Sequence, residues 1–150
     1  MADIFRDISN SDSFLVTFKK ARKKSHSYLA KRLKEYELTS NQIDVLYFLL
    51  RNKNYNTAKD IVEFIGVSKG LVSRSVDELI KKDYLYVKED ETDRRKMRLF
   101  LTESGKSIVK KIDKYDHEFL AKITNGISPD EIQTHLRIAK KISENLKNLD

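Results

Sequence analysis

Residues 57–83 read TAKDIVEFIGVSKGLVSRSVDELIKKD, and 84–105 continue YLYVKEDETDRRKMRLFLTESG. Thr57-x-x-Asp60 has the pattern of a capping box, and Ile61, Phe64 and Ile65 follow at helical spacing. Gly66 stands where a helix end needs a residue that tolerates positive φ, and Ser68 suits the N-cap of the next helix. Val72, Val76, Leu79 and Ile80 mark a buried face that runs to about Asp83. Two short helices joined through Gly66-Val67-Ser68 predict a helix-turn-helix. YLYVK and KMRLFL then alternate as two half-buried strands, with Leu85, Val87, Met97, Leu99 and Leu101 on the inner face.

A nucleic-acid reader needs small, hydrogen-bonding side chains at the exposed start of its second helix, because bulk there blocks entry into the major groove. Ser68, Lys69, Gly70, Ser73 and Arg74 meet that need, and an arginine can bond guanine through two donors. An ordinary helical hairpin with a solvated face fits the same pattern. The hairpin that follows shifts the balance, because a helix-turn-helix followed by a two-stranded ribbon with a basic tip is a winged helix. Four acids crowd into 89–93, and Arg94 and Arg95 come directly after. Asp93 can pair with a neighbouring arginine and set its direction, leaving Arg94 to probe the negative minor groove. Mutual neutralisation of acids and arginines is the competing reading.

Outward from this centre, Phe14, Phe18, Ala21, Leu29 and Leu33 predict a long first helix over 12–36. Thr39-x-x-Gln42 opens a second helix with Ile43, Leu46, Tyr47 and Leu50 inward, and RNKNYN at 51–56 reads as a loop. Thr102 caps a fifth helix striped by Ile108, Ile112, Tyr115, Phe119 and Ile123. Ser128-Pro129-Asp130-Glu131 starts a sixth, striped by Ile132, Leu136, Ala139, Leu146 and Leu149. The expected fold is mainly α with a small β-wing in a single domain over 1–150. A winged lobe at 39–101 is flanked by helices at 12–36 and 102–148. The flanking stripes exceed what one small lobe covers, which points to a homodimer.

Composition narrows the function. Charged residues make up 35% and hydrophobic residues 39%, with no Cys or Trp. Thiol redox chemistry, disulfides and thiolate metal sites are thereby excluded. No run approaches the ~20 apolar residues of a membrane span, and MADIFRDISNSD lacks the apolar core of a secretory signal, so the chain reads as cytoplasmic. Four glycines form no phosphate-cradling loop, and no serine sits in a nucleophile elbow, which argues against an enzyme and against a bound cofactor. The net charge of +7 is unevenly spread: residues 1–56 carry 11 Lys/Arg against 6 Asp/Glu, and residues 57–101 carry 10 against 9. Much of the excess is KKARKK at 19–24, which also fits a solvated helix face.

The set VSKGLVSRSVDELIKKDYLYV followed by DETDRRKMRLFLTESGKSIV, together with LTSNQIDVLYFL at 38–49, resembles the MarR family of bacterial winged-helix regulators. The likeness covers roughly 12–148 and rests on the V-D-x-L-x-x-K helix, the D-R-R wing and the L-T-x-x-G helix start. It implies a homodimeric repressor or activator that grips a pseudo-palindromic operator, with the first, fifth and sixth helices forming the dimer. The family's recognition-helix contacts fall on Ser68, Lys69, Gly70, Ser73 and Arg74, and its wing residues on Asp93, Arg94 and Arg95. Departures are the near-neutral winged segment and the missing cysteine of oxidation-sensing relatives. The resemblance also implies a cleft for a small aromatic or phenolic effector, here near Phe18, Arg22, His26, Tyr47 and Tyr115. Plain packing of the lobe junction accounts for the same residues. Of His26, His117 and His135, His117 shares one helical face with Asp113, four residues before it; solvated surface is the simpler reading, and no metal is assigned. The rival to a sequence-specific regulator is a winged helix used for protein docking or architecture.

Overall fold

The computed structural model describes residues 14–149. Its elements are α1 (Phe14–Arg32), a 3-10 turn (Lys34–Tyr36), α2 (Ser40–Arg51), α3 (Ala58–Ile65), α4 (Lys69–Lys81), β1 (Leu85–Glu89), β2 (Met97–Leu101), α5 (Glu103–Ile123) and α6 (Pro129–Lys147). This is the mainly α fold with a β-wing that the sequence predicts. The chain divides into two compact units, Met1–Phe119 and Leu120–Asp150.

The first helix is shorter than predicted. Position 12 and the Phe14 side chain lie outside the described residues. At its other end the helical bonding stops at Arg32, tightens into the 3-10 turn, and Glu37 closes it in the left-handed region at φ 49°. The carbonyls freed there are taken by the Lys82 ammonium, which donates to those of Tyr36 and Glu37 at 2.9 and 3.0 Å. Leu29 and Leu33 are buried, and Phe18 is exposed.

α2 is the centre of the first unit. Both halves of its capping box form, Thr39 taking the Gln42 N–H and Gln42 reaching back to the Thr39 N–H. The sequence stripe placed Ile43 and Leu46 inside, and they are; Val45, Phe48 and Leu49 are buried as well, with Tyr47 and Leu50 half-buried. α3, α4 and β2 all pack on α2, so nearly its whole circumference is apolar. Phe64, Ile80 and Met97 face out, the last two against the inward placement that the sequence predicts. Phe64 lies off the Ile61–Ile65 line and rests its ring on Phe48 at 4.8 Å. Ile80 is one helical step, ~100°, beyond Leu79. Met97 pairs with Glu89 at the outer end of the wing, away from the helices.

The strands run antiparallel with Leu85 opposite Leu101 and Val87 opposite Leu99 on the inner face. Tyr86 and Phe100 stack at 5.5 Å on the outer face. Thr102 closes the wing into α5: its hydroxyl donates to the Asp83 carbonyl at 2.6 Å and accepts the Gly105 N–H at 2.9 Å. Gly105 is required one turn later, because a Cβ there would run into the Tyr84 carbonyl.

The acids at 89–93 are resolved by Asp90, which is buried although four of its neighbours are exposed. One carboxylate oxygen takes the Thr92 N–H, the Thr92 hydroxyl and the Asp93 N–H at 2.9, 2.5 and 2.9 Å. The other takes Nε of Arg98 from β2. Arg98 continues to the Asn56 carbonyl oxygen Oδ1 at 2.8 Å. Asn56 is buried and pairs with Leu99 twice, its Nδ2 donating to the Leu99 carbonyl at 3.0 Å and its own carbonyl accepting the Leu99 N–H at 2.8 Å. The wing is thus laced to the loop between α2 and α3. The loop read from RNKNYN ends in a residue that behaves as an extra rung of the sheet.

The Thr92 hydroxyl, then the Arg98 guanidinium and then the two backbone N–H groups hold the Asp90 carboxyl well below the usual carboxylate range. A depressed carboxyl contributes stability above its unfolded value of about 3.9, and that contribution is lost as pH falls through the folded value. The wing amides of Thr92, Asp93 and Lys96 should therefore lose hydrogen-exchange protection, relative to Ile112 in the core, only on acidification below about pH 4. In Asp90→Asn the same amides should already be weakly protected at neutral pH, with little further change on acidification. Equal protection in variant and parent across that range would show that the carboxylate does not hold the wing.

Candidate nucleic-acid interface

α3 ends on Gly66 at φ 70°, whose N–H bonds the Val62 carbonyl at 3.0 Å, and Ser68 caps α4 through the Leu71 N–H at 3.4 Å. The tight turn sends α4 off across α3 with Val72, Ser75, Val76 and Leu79 buried. Ser68, Lys69, Gly70, Ser73 and Arg74 are all exposed, so the five residues expected to face a ligand share the free surface at the start of this helix.

Arg74 is held by a relay absent from the sequence reading. Its Nε donates to Glu78 Oε1 at 3.1 Å. The other Glu78 oxygen accepts from Gln42 Nε2 at 2.6 Å, and Gln42 is buried with its Oε1 occupied by the Thr39 N–H at 2.9 Å. A surface ion pair one turn apart contributes only a few tenths of a kcal/mol. Its weight here is geometric. Gln42 fixes the carboxylate, the carboxylate fixes Nε, and Nη1 and Nη2 remain to form a two-pronged donor. The sequence marks Gln42 as a capping residue and gives Glu78 no role. The i,i+4 spacing of Arg74 and Glu78 was the available signal.

At the wing tip Arg94 and Arg95 are exposed, and among the described residues neither guanidinium has a hydrogen-bond or ion-pair partner. Asp93 does not turn an arginine side chain as expected. It accepts the Arg95 backbone N–H at 3.1 Å and faces the Lys96 ammonium at 3.6 Å. The acid that orients a guanidinium is Asp90, and that guanidinium belongs to Arg98. The signal for it was Asp90-x-Thr92, a side-chain-capped turn pattern.

Of the five residues expected around an effector, two are brought together. Arg22 Nη2 and His26 Nε2 both reach Asp44, at 3.2 and 2.9 Å. They line an open groove of about 590 Å³ that does not include Phe18, Tyr47 or Tyr115. The Tyr47 hydroxyl donates to Asp116 at 2.8 Å and accepts from Arg51 at 3.1 Å. Burial and the Asp116 carboxylate raise that phenol above its ordinary range. Tyr115 lies under the Arg32 guanidinium. His117 Nδ1 sits 2.7 Å from the Asp113 carbonyl, and the Asp113 carboxylate is bound by Arg51 at 2.5 Å. Among the described residues, no group of three or more His, Cys, Asp or Glu is placed to hold a metal ion, and no helix is long and apolar enough to cross a membrane.

Residues 36–96 match the model of the MarR family. A MarR-family regulator from Listeria monocytogenes complexed with a 26mer DNA superposes with a TM-score of 0.81 at 20% identity, over 91% of this chain and 91% of that one. The S. aureus MepR–DNA complex gives 0.75 at 20% identity, over 92% and 99%. Bordetella bronchiseptica BpsR, whose DNA binding is regulated by 6-hydroxynicotinic acid, gives 0.68 at 22% identity, over 89% and 94%. Residues 36–96 thus match the MarR family model, and the chain has the fold of these MarR-family structures.

Proposed function

We propose that the chain is a DNA-binding transcriptional regulator of the repressor type, working as a homodimer on a pseudo-palindromic duplex. The observation that carries this reading is Arg74: its Nε is tied to Glu78, its Nη pair remains available, and it shares the exposed start of α4 with Ser68, Gly70 and Ser73. That is the donor geometry for the O6 and N7 of guanine in the major groove. Arg94 on the wing suits the neighbouring minor groove. The MarR-fold proteins seen on DNA support the assignment. Dimerisation is supported by α6, on which Ile138, Ile142 and Leu146 are exposed at successive helical turns. Two copies present two half-sites about one helical turn apart.

The deciding experiment selects bound sequences from a random duplex pool and then compares variants on the winner. Arg74→Ala should cost roughly 1–3 kcal/mol and relax preference at one position per half-site. Glu78→Gln, which keeps an acceptor for Gln42, should relax the same position and add nothing in the Arg74→Ala background. Arg94→Ala should weaken binding at flanking A·T-rich steps. Unchanged binding by both arginine variants, or no salt-dependent duplex binding by the parent, would favour a protein-docking role instead.

Light scattering at micromolar concentration should give twice the chain mass. A monomer there would remove the dimer from the proposal.

A small-molecule effector fits the same scheme, with BpsR as the relative whose DNA binding responds to an aromatic acid. In this chain an aromatic carboxylate would reach Arg22 by displacing Asp44. Only differential affinity for the free and DNA-bound arrangements can couple such a ligand to release. Salicylate or 6-hydroxynicotinate titrated into the preformed complex should release DNA from the parent and fail to do so with Arg22→Ala. No release from the parent at millimolar concentration would end the aromatic-acid reading.

A further inference from the structure

The winged segment is nearly neutral, although a duplex reader draws much of its affinity from cations on phosphates. The charge excess lies instead in the first third of the chain, above all at 19–24. The fold decides where that run goes. Arg22 and His26 fasten α1 to Asp44 at the start of α2. This sets one face of α1 along an open groove walled by Lys19, Arg22 and Lys23 on one side and by Ser40 and Asn41 on the other. Its third border is Ile65-Gly66-Val67, the turn of the helix-turn-helix itself. Val67 leads straight into Ser68, so a duplex seated on the start of α4 passes beside this groove.

The cations in the groove differ in availability. Arg22 is committed to Asp44, the groove's carboxylate, which His26 also contacts. Lys19 and Lys23 are exposed and have no ion-pair partner among the described residues. They are one helical turn apart on the same face, an arrangement that is mildly repulsive in a free helix and is relieved by a polyanion. The small side chains of Ser27 and Ala30 leave the groove open, and Ser40 and Asn41 add neutral donors of the kind that bond phosphate oxygens.

We propose that Lys19 and Lys23 form a second DNA-contacting surface, binding backbone phosphates beside the helix-turn-helix turn and so supplying the affinity that the near-neutral winged lobe lacks. The proposal rests on the DNA-binding reading above and extends its footprint to α1. The contact is to phosphate alone, so it contributes to binding of every duplex and not to choice among sequences.

The test is the salt dependence of duplex binding by the full chain. The logarithm of affinity falls with the logarithm of salt concentration by about 0.9 for each phosphate neutralised. Lys19→Gln/Lys23→Gln should lower the slope by roughly two units or more for a dimer, and weaken selected and unrelated duplexes by the same factor, roughly tenfold or more near physiological salt. Base preference should stay as in the parent, and Lys19→Arg/Lys23→Arg should keep the parent slope. Lys140→Gln/Lys141→Gln on α6 removes the same charge elsewhere and should leave the slope unchanged. If the Lys19/Lys23 variant keeps the parent slope, or the α6 variant loses as much, the proposed contact is wrong while the DNA-binding reading stands. A parent that shows no salt-dependent duplex binding overturns both.

Discussion

The buried amide of Asn56 is the joint on which the winged lobe depends. Its main chain and side chain both bond Leu99, and its remaining oxygen receives Arg98. A buried amide left without partners costs ~1–3 kcal/mol, so this residue holds β2 to the α2–α3 loop with little freedom to slide. From β2 the constraint passes through Arg98 to Asp90, and from Asp90 to the turn that carries Arg94 and Arg95. A two-stranded ribbon is marginal by itself. Here it is backed by the helices on one face and clamped at its root, which lets a polar tip project without fraying.

Gln42 does the equivalent for the helix-turn-helix. It completes the N-terminal cap of α2 with one end of its amide and grips Glu78 of α4 with the other. Both outward-facing arginine sites are therefore referred back to α2, the most enclosed helix of the unit, or to the loop that follows it. That shared origin matters for recognition. Groups that must meet a duplex together gain from being positioned before contact, since little side-chain entropy is then left to lose. The same helix receives Arg22 and His26 through Asp44, so the lysines of α1 are placed by it too.

Much of this lay open in the chain itself. Capping at Thr39, Thr57, Ser68 and Ser128 depends on neighbours three residues apart, and all four caps form. Gly66 and the alternation through 84–101 likewise reflect local backbone sterics and strand period. The exposed set at 68–74 and the two wing arginines also followed, because the side opposite a buried stripe is exposed by geometry. What escaped were contacts across distant parts of the sequence. Asp93 was the plausible partner for an arginine because it adjoins one, yet its neighbours offer it only a backbone N–H and a lysine. Phe64, Ile80 and Met97 are apolar and near the right spacing, and only the positions of α2 and the wing's outer edge decide that they face out.

The sequence alone determined the order and type of the elements, the turn at Gly66, the helix start at Thr102 and the family they resemble, since each depends on residues within a few positions of one another. Tertiary structure alone decided which polar groups are spent and which are free. Asp90 is consumed by Thr92 and Arg98, Glu78 by Gln42 and Arg74, and Arg22 by Asp44. Lys19, Lys23, Arg94 and Arg95 carry the same kind of charge as Arg22 and Arg98 in the sequence. They differ because the packing of α1 on α2 brings Asp44 to Arg22 and the pairing of the wing strands brings Asp90 to Arg98, while among the described residues no carboxylate is brought to the other four.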